Sequence, residues 1–167
     1  MRRFQTVLGV CAITWNDTGI TRVLLPGMRS LAGPPRDAPD QVLAAIGAIV
    51  TLLDGERADL RWITLDEAGI DPFRRSVYAA TREIAPGETA SYGDVAHAIG
   101  KPDAPRAVGA ALAENPFPII VPCHRVLSAT GELHGFSAPG GIATKRRMLE
   151  IERAPGFTQL SLLGSGR

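Results

Sequence analysis

A cysteine and a histidine stand side by side in the run Pro122-Cys123-His124-Arg125-Val126. The run follows the apolar stretch 117–121, which predicts a strand. The proline fixes the backbone just before the cysteine, so the sulfur is expected at a defined point at the strand's end. This arrangement is typical of a presented nucleophile. The alternative is a buried structural thiol.

Such a cysteine needs a proton acceptor. The thiolate is the attacking form, and an ordinary thiol with a pKa near ~8.5 is only slightly ionised at neutral pH. Side chains of adjacent residues in an extended chain point to opposite faces, so a bridging water is the expected link between Cys123 and His124.

Composition limits what else the chain can be. It has 167 residues, 45% of them hydrophobic, and no stretch reaches the ~18 consecutive apolar residues of a membrane helix. The two cysteines, Cys11 and Cys123, argue against a disulfide framework or a four-cysteine metal site. We expect a cytoplasmic protein with no membrane association, no metal and no cofactor.

The charge distribution favours the C-terminal part as the phosphate-facing one. The net charge of +1 is uninformative by itself. Residues 101–167, however, carry eight Lys and Arg against five Asp and Glu, whereas residues 1–100 carry ten against twelve. Excess positive charge is what a polyanion such as DNA attracts.

The first 70 residues predict a small α/β domain. Residues 4–25 read as two strands joined by the turn formers of 16–19. Asp40 is a candidate cap for a helix that stops near Gly55, and residues 60–65 are expected to return as another strand.

Residues 71–154 predict a mostly helical domain. Asp71 with Pro72 starts one helix, and Ser91 with Asp94 forms a capping box for a second. Asp103 is the expected cap of a third, running from about Ala104 to Ala113. Two short helices around a tight connection are typical of a helix-turn-helix. Residues 155–167 are left as a C-terminal tail.

The third helix offers little but small side chains around Arg106. Small residues suit tight packing in a core. An arginine is rarely buried unpaired, however, and on a smooth helix face it could enter the base stack of a duplex.

Several motifs in order resemble the O6-alkylguanine-DNA alkyltransferase family. The resemblance covers residues 71–153 well and residues 4–26 only loosely. It rests on these segments: Gly87-Glu88, Ser91-Tyr92, Arg106-Ala107-Val108-Gly109, Asn115-Pro116, the Pro-Cys-His-Arg-Val run, Gly140-Gly141 with Lys145, and Glu152. It implies direct reversal of DNA damage, with one alkyl group transferred from O6-alkylguanine to Cys123 per molecule.

The resemblance also implies roles for individual residues. Cys123 is the alkyl acceptor, and Glu152 orients the base His124. The residues expected to brace the active-site turn or to bind the flipped guanine are Asn115, Tyr92, Val126, Phe136 and Ser137.

The implied partner is double-stranded DNA containing O6-alkylguanine, bound by a monomer that is nucleoid-associated when on DNA. Arg106 would replace the flipped nucleotide in the stack. The residues expected to contact DNA are Arg106, Ala107, Gly109, Ala110, Lys101 and Arg74. Glu114 should weaken binding slightly.

The segment 137–141 departs from the commoner form of the family. It reads as a two-residue insertion in a loop that borders the pocket, which leaves the tolerated size of the alkyl group open.

Three other functions are alternatives to alkyl transfer. A non-catalytic lesion binder of the alkyltransferase-like group would use the same helices, but that group lacks the cysteine. A regulator with a metal-thiolate sensor fits less well, because two cysteines cannot build such a sensor. A cysteine hydrolase also fits less well, because nothing in the sequence specifies an oxyanion hole.

Overall fold

The computed structural model describes residues 1–29 and 34–158, which form a mixed α/β fold. Strands β1 (Arg2–Thr6), β2 (Gly9–Trp15) and β3 (Ile20–Leu24) make an antiparallel sheet in the order β1-β2-β3. The hairpin through residues 16–19 is confirmed, because Asn16 Oδ1 accepts bonds from two backbone N–H groups in that turn. The prediction of only two strands was wrong, since the chain also reverses between β1 and β2.

Helix α1 (Asp40–Leu53) follows the predicted bounds, although its N-cap is Pro39, and Asp40 lies in the first turn. Residues 60–65 do not form the predicted strand; they make turns with a single bridge to β3. The guanidinium of Arg82 donates to three carbonyl groups within this segment, at 2.8–3.0 Å. These carbonyls are therefore satisfied by a side chain and not by a neighbouring strand.

Three helices of the C-terminal part pack on one another: α2 (Pro72–Arg82), α3 (Tyr92–Ala98) and α4 (Pro105–Ala113). Asp71 caps α2 by accepting from the Arg74 N–H at 3.0 Å. The capping box at the start of α3 is present as predicted. Helix α4 differs, because its N-cap is Ala104, which gives no side-chain bond, so the predicted cap at Asp103 is wrong.

These caps predict a difference between two similar substitutions. Ser91→Ala should lower the free energy of unfolding by about 1 kcal/mol, because the Asp94 N–H at the start of α3 loses its acceptor. Asp103→Ala should have little effect, since Asp103 caps nothing. Urea denaturation of both variants measures the difference, and equal losses would contradict the cap assignment.

The segment before the cysteine is not the predicted strand. Residues 117–121 make turns closed by a bridge between Pro118 and Val121, and Ile119 has a φ of +75°. Pro118 and Pro122 have no N–H to give to a sheet, which disfavours a strand here. Cys123 consequently begins a short 3-10 helix, Cys123–Arg125.

The remaining elements close the fold around that 3-10 helix. Strand β4 (Ala90–Ser91) pairs in parallel with β5 (Val126–Leu127), and α5 (Gly141–Ile151) packs on the 3-10 helix. One apolar cluster includes side chains from both parts of the chain, among them Ile13, Ile49, Tyr78 and Phe117. Among the described helices, none is long and apolar enough to cross a membrane.

Candidate active site

A small pocket, open to solvent at its mouth, lies beside Cys123. Its walls come from α3, from the C-terminal half of α4, from the turn before the cysteine, from the loop 135–138 and from the turn after β3. The fold thus brings together four of the predicted pocket residues with the sulfur: Tyr92, Asn115, Phe136 and Ser137. Val126 is not among the lining residues.

Cys123 is held as a thiol by its surroundings. Burial raises its pKa, while the Asn115 side chain and the charge of Lys145 oppose this only in part. A thiol with a raised pKa must lose its proton to a base as it attacks.

The predicted base, His124, is buried and paired with a carboxylate. His124 Nε2 lies 2.8 Å from Glu152 Oε1, and both side chains are almost completely buried. Burial lowers the pKa of His124, against the opposing effect of the Glu152 carboxylate, so the imidazole is neutral. A neutral imidazole that donates from Nε2 to the carboxylate has its lone pair on Nδ1. That Nδ1 is buried and has no partner among the described residues, which leaves it available to accept a proton.

Sequence reasoning missed Arg125. Its guanidinium binds both oxygens of Glu152 at 2.8 Å and donates to the Ile84 carbonyl at 2.6 Å. Burial would raise the pKa of Glu152, but His124 and Arg125 outweigh it and lower the pKa to about 2. The carboxylate is therefore ionised and fixed. Only the position of Arg125, directly after the Cys-His pair, could have indicated from the sequence that it belongs to the site.

Asn115 holds the turn that precedes the cysteine. Its Nδ2 donates to the Val121 carbonyl and its Oδ1 accepts from the Phe117 N–H, each at 2.9 Å. One amide thus ties the two ends of the turn 117–121, which fixes the approach to Cys123.

Lys145 is a second residue whose place in the site only the structure gives. Its Nζ is buried, donates to the Val126 carbonyl at 2.6 Å and to the His134 carbonyl at 3.2 Å, and lies 5.8 Å from the centre of the Tyr92 ring. Burial lowers its pKa to about 8. Its helical spacing from Met148 and Leu149, both on the buried face of α5, was the signal that could have found it.

The predicted guanine-edge residues fall in different places. Val126 is fully buried in β5 with its carbonyl bound to Lys145. Ser137 lines the pocket, and its hydroxyl donates to the Ala113 carbonyl at the end of α4. Tyr92 donates to the His134 carbonyl at 3.4 Å, and burial raises the pKa of its phenol, so it remains a hydrogen-bond donor.

Helix α4 has one buried face and one open face. Val108, Ala111 and Leu112 enter the core, whereas the predicted DNA-contacting residues Arg106, Ala107, Ala110 and, before the helix, Lys101 are exposed. Gly109 lies against Tyr92, since a Cβ there would be 3.7 Å from two ring carbons. Tight core packing is therefore confirmed for the buried face, while DNA contact by the exposed face stays a prediction.

Arg74 is placed differently from the other DNA candidates. It forms ion pairs with Glu114 and with Asp71. Two carboxylates thus neutralise its charge within the protein, and the acidic residue at the end of α4 is compensated internally. Elsewhere in the described ranges, no three His, Cys, Asp or Glu side chains converge as metal ligands.

Known proteins that resemble this chain all belong to one family. The profile described as 6-O-methylguanine DNA methyltransferase, DNA binding domain, matches residues 72–154. The methylated-DNA–protein-cysteine methyltransferase of Mycobacterium bovis is 44% identical over 125 residues, which span 75% of this chain and 69% of the relative. That of Methanothermobacter thermautotrophicus is 33% identical over 141 residues, 84% of this chain and 77% of the relative.

Solved structures agree over nearly the whole chain. The Mycobacterium tuberculosis O6-methylguanine methyltransferase has a TM-score of 0.74 at 33% identity, covering 92% of this chain and 93% of that one. The M. tuberculosis OGT structure in complex with DNA has a TM-score of 0.71 at 34% identity, covering 93% and 95%.

The matched profile and the fold define a DNA-binding protein, and its site holds a cysteine beside a pocket. The relatives narrow this class. The chain belongs to the methylated-DNA–protein-cysteine methyltransferase family, and its function is DNA repair by direct reversal of damage.

Proposed function

We propose that Cys123 accepts the alkyl group from O6-alkylguanine in double-stranded DNA. The observation that carries the proposal is the pocket that borders Cys123 next to a neutral, carboxylate-oriented His124. A stacked and paired base leaves no room for attack in line with the bond to O6, so the nucleotide must first flip out of the duplex into this pocket.

The transfer balances in one displacement. The bond from Cys123 sulfur to the alkyl carbon forms as the bond from that carbon to O6 breaks. The thiol proton passes through a water to Nδ1 of His124, and the guanine, faced by the Tyr92 hydroxyl, leaves with the electron pair of the broken bond. The proton that His124 then returns through water neutralises the guanine, so no net proton is gained or lost. A thioether is a poor leaving group, so each molecule acts once.

Helices α3 and α4 serve in this proposal as the helix-turn-helix of a DNA-binding domain over residues 71–154, and residues 1–70 form an N-terminal α/β domain that shares its core. The exposed small residues of α4 approach the minor groove closely, and Arg106 enters the base stack. The backbone of Ser137, which lines the pocket, binds the guanine edge. The protein acts as a cytoplasmic monomer on the nucleoid, and residues 159–167 of the tail lie outside the described residues.

Intact-mass measurement tests the proposal. After incubation with a duplex carrying O6-methylguanine, we expect one methyl group per protein molecule, on the peptide that contains Cys123. Binding of the duplex without any methyl on that peptide would overturn the proposal and favour the lesion binder.

Arg106→Ala should slow methyl transfer from duplex DNA at least about tenfold, because flipping costs a few kcal/mol that the arginine helps to offset. Transfer from free O6-methylguanine base should be unchanged, since no flipping is needed. Arg57→Ala, an exposed arginine beyond α1, is the charge-matched control. Equal slowing on both substrates would contradict this role for Arg106.

A further inference from the structure

One wall of the pocket beside Cys123 comes from the N-terminal part of the chain. Met28, in the turn after β3, lines the pocket together with Cys123, Phe136 and Ala138. The side chain is half-buried and packs against the main apolar cluster. Met28 lies outside the matched residues 72–154, so the pocket is incomplete without the N-terminal part.

The turn that carries Met28 is fixed by its own hydrogen bonds. The Met28 N–H donates to the Leu25 carbonyl at 3.1 Å, and the Leu25 N–H donates to Met28 Sδ at 3.2 Å. Gly27 between them has a φ of +82°, which suits glycine. The thioether is therefore held near its own backbone at the pocket wall.

The same turn supports the loop that reads as an insertion. A Cβ on Gly27 would lie 3.1 Å from the Cβ of Pro139, so the turn and the loop are in van der Waals contact. Pro139 in turn accepts a bond from the Thr144 hydroxyl of α5 at 2.8 Å. Held between the turn and α5, the loop cannot retreat easily from a larger group in the pocket.

We propose that Met28 limits the size of the alkyl group that Cys123 accepts. This inference rests on the proposed function and deepens it, because it names small alkyl groups as the preferred substrates. The thioether fills space that a benzyl group would need, while a methyl group leaves it undisturbed. Apolar pockets discriminate by size, at about 10–200-fold per methylene.

The test compares S-alkylation rates with duplexes carrying O6-methylguanine or O6-benzylguanine. Met28→Ala should raise the ratio of benzyl to methyl transfer at least about tenfold, and Met28→Trp should lower it by a similar factor. Met28→Leu is nearly volume-conserving and should leave the ratio close to that of the unaltered protein.

Failure of the size-selection inference and failure of the proposed function give different results. If Met28→Ala changes both rates by the same factor, or neither, Met28 does not select by size and the inference is wrong. Thermal melting shows which variants are folded, and should Met28→Ala unfold, the Trp and Leu variants decide. If the unaltered protein transfers no methyl group at all, the proposed function fails, which is a different result from an unchanged ratio.

Discussion

Cys123→Ala should abolish methyl transfer completely while leaving binding to O6-methylguanine duplexes close to normal. The sulfur is the only atom in the proposed displacement that bonds to the alkyl carbon, whereas the exposed residues of α4 that would contact DNA are untouched. Intact-mass measurement reports transfer, and fluorescence anisotropy with a labelled duplex reports binding.

Cys11→Ala is the matched control, because Cys11 is the other cysteine of the chain and is 1% exposed in the core. Its variant should transfer at the normal rate. Methyl found on Cys11, or on any residue of Cys123→Ala, would show that the acceptor has been assigned to the wrong side chain.

Glu152→Gln should reduce both transfer and stability. Without the carboxylate, His124 loses the acceptor that fixes its ring orientation and places its proton on Nε2, and losing an oriented general base costs about 10²–10⁴ in rate. The buried Arg125 also loses its counter-charge, which typically costs 3–5 kcal/mol. Single-turnover kinetics and urea denaturation at pH 7 measure the two effects.

The stability effect has a defined pH dependence. The pKa of Glu152 falls from an ordinary 4.5 to about 2 on folding, so its ionised form stabilises the folded state. This contribution, on the order of 3 kcal/mol, is complete above pH 4.5 and is lost as the pH falls toward 2. The difference in free energy of unfolding between the unaltered protein and Glu152→Gln should therefore shrink between pH 5 and pH 3.

Glu88→Gln, which changes an exposed carboxylate, controls for general charge effects and should show no such trend. If the difference in free energy of unfolding between the unaltered protein and Glu152→Gln stays constant from pH 5 to pH 3, His124 and Arg125 do not lower the pKa of Glu152.

The sequence was most informative where structure depends on near neighbours. The caps at Asp71 and Ser91 act within three residues, so they place the starts of α2 and α3 without knowledge of the rest of the chain. The motif around Cys123 was also recognisable from the sequence, because its residues are contiguous. Only the family resemblance, however, connected it with Glu152, 29 positions further along the chain.

Local patterns failed where distant groups decide the backbone. Residues 60–65 have the composition of a strand, yet Arg82 of α2 binds three of their carbonyls. The apolar run 117–121 likewise forms turns, which Asn115 ties together. Pro118 within the run and Pro122 directly after it have no N–H to give to a sheet. Strand formation needs a partner edge, and periodicity within one segment does not show whether one exists.

By itself, the sequence determined the family of this protein, through a contiguous motif around Cys123, and it predicted which thiol is nucleophilic and which helices face DNA. Only the tertiary structure decided what surrounds that thiol, namely the Arg125–Glu152 pair, the buried Lys145 and the Met28 wall. Reactivity and selectivity depend on burial and on contacts between residues far apart in the chain, and these exist only once the chain is folded.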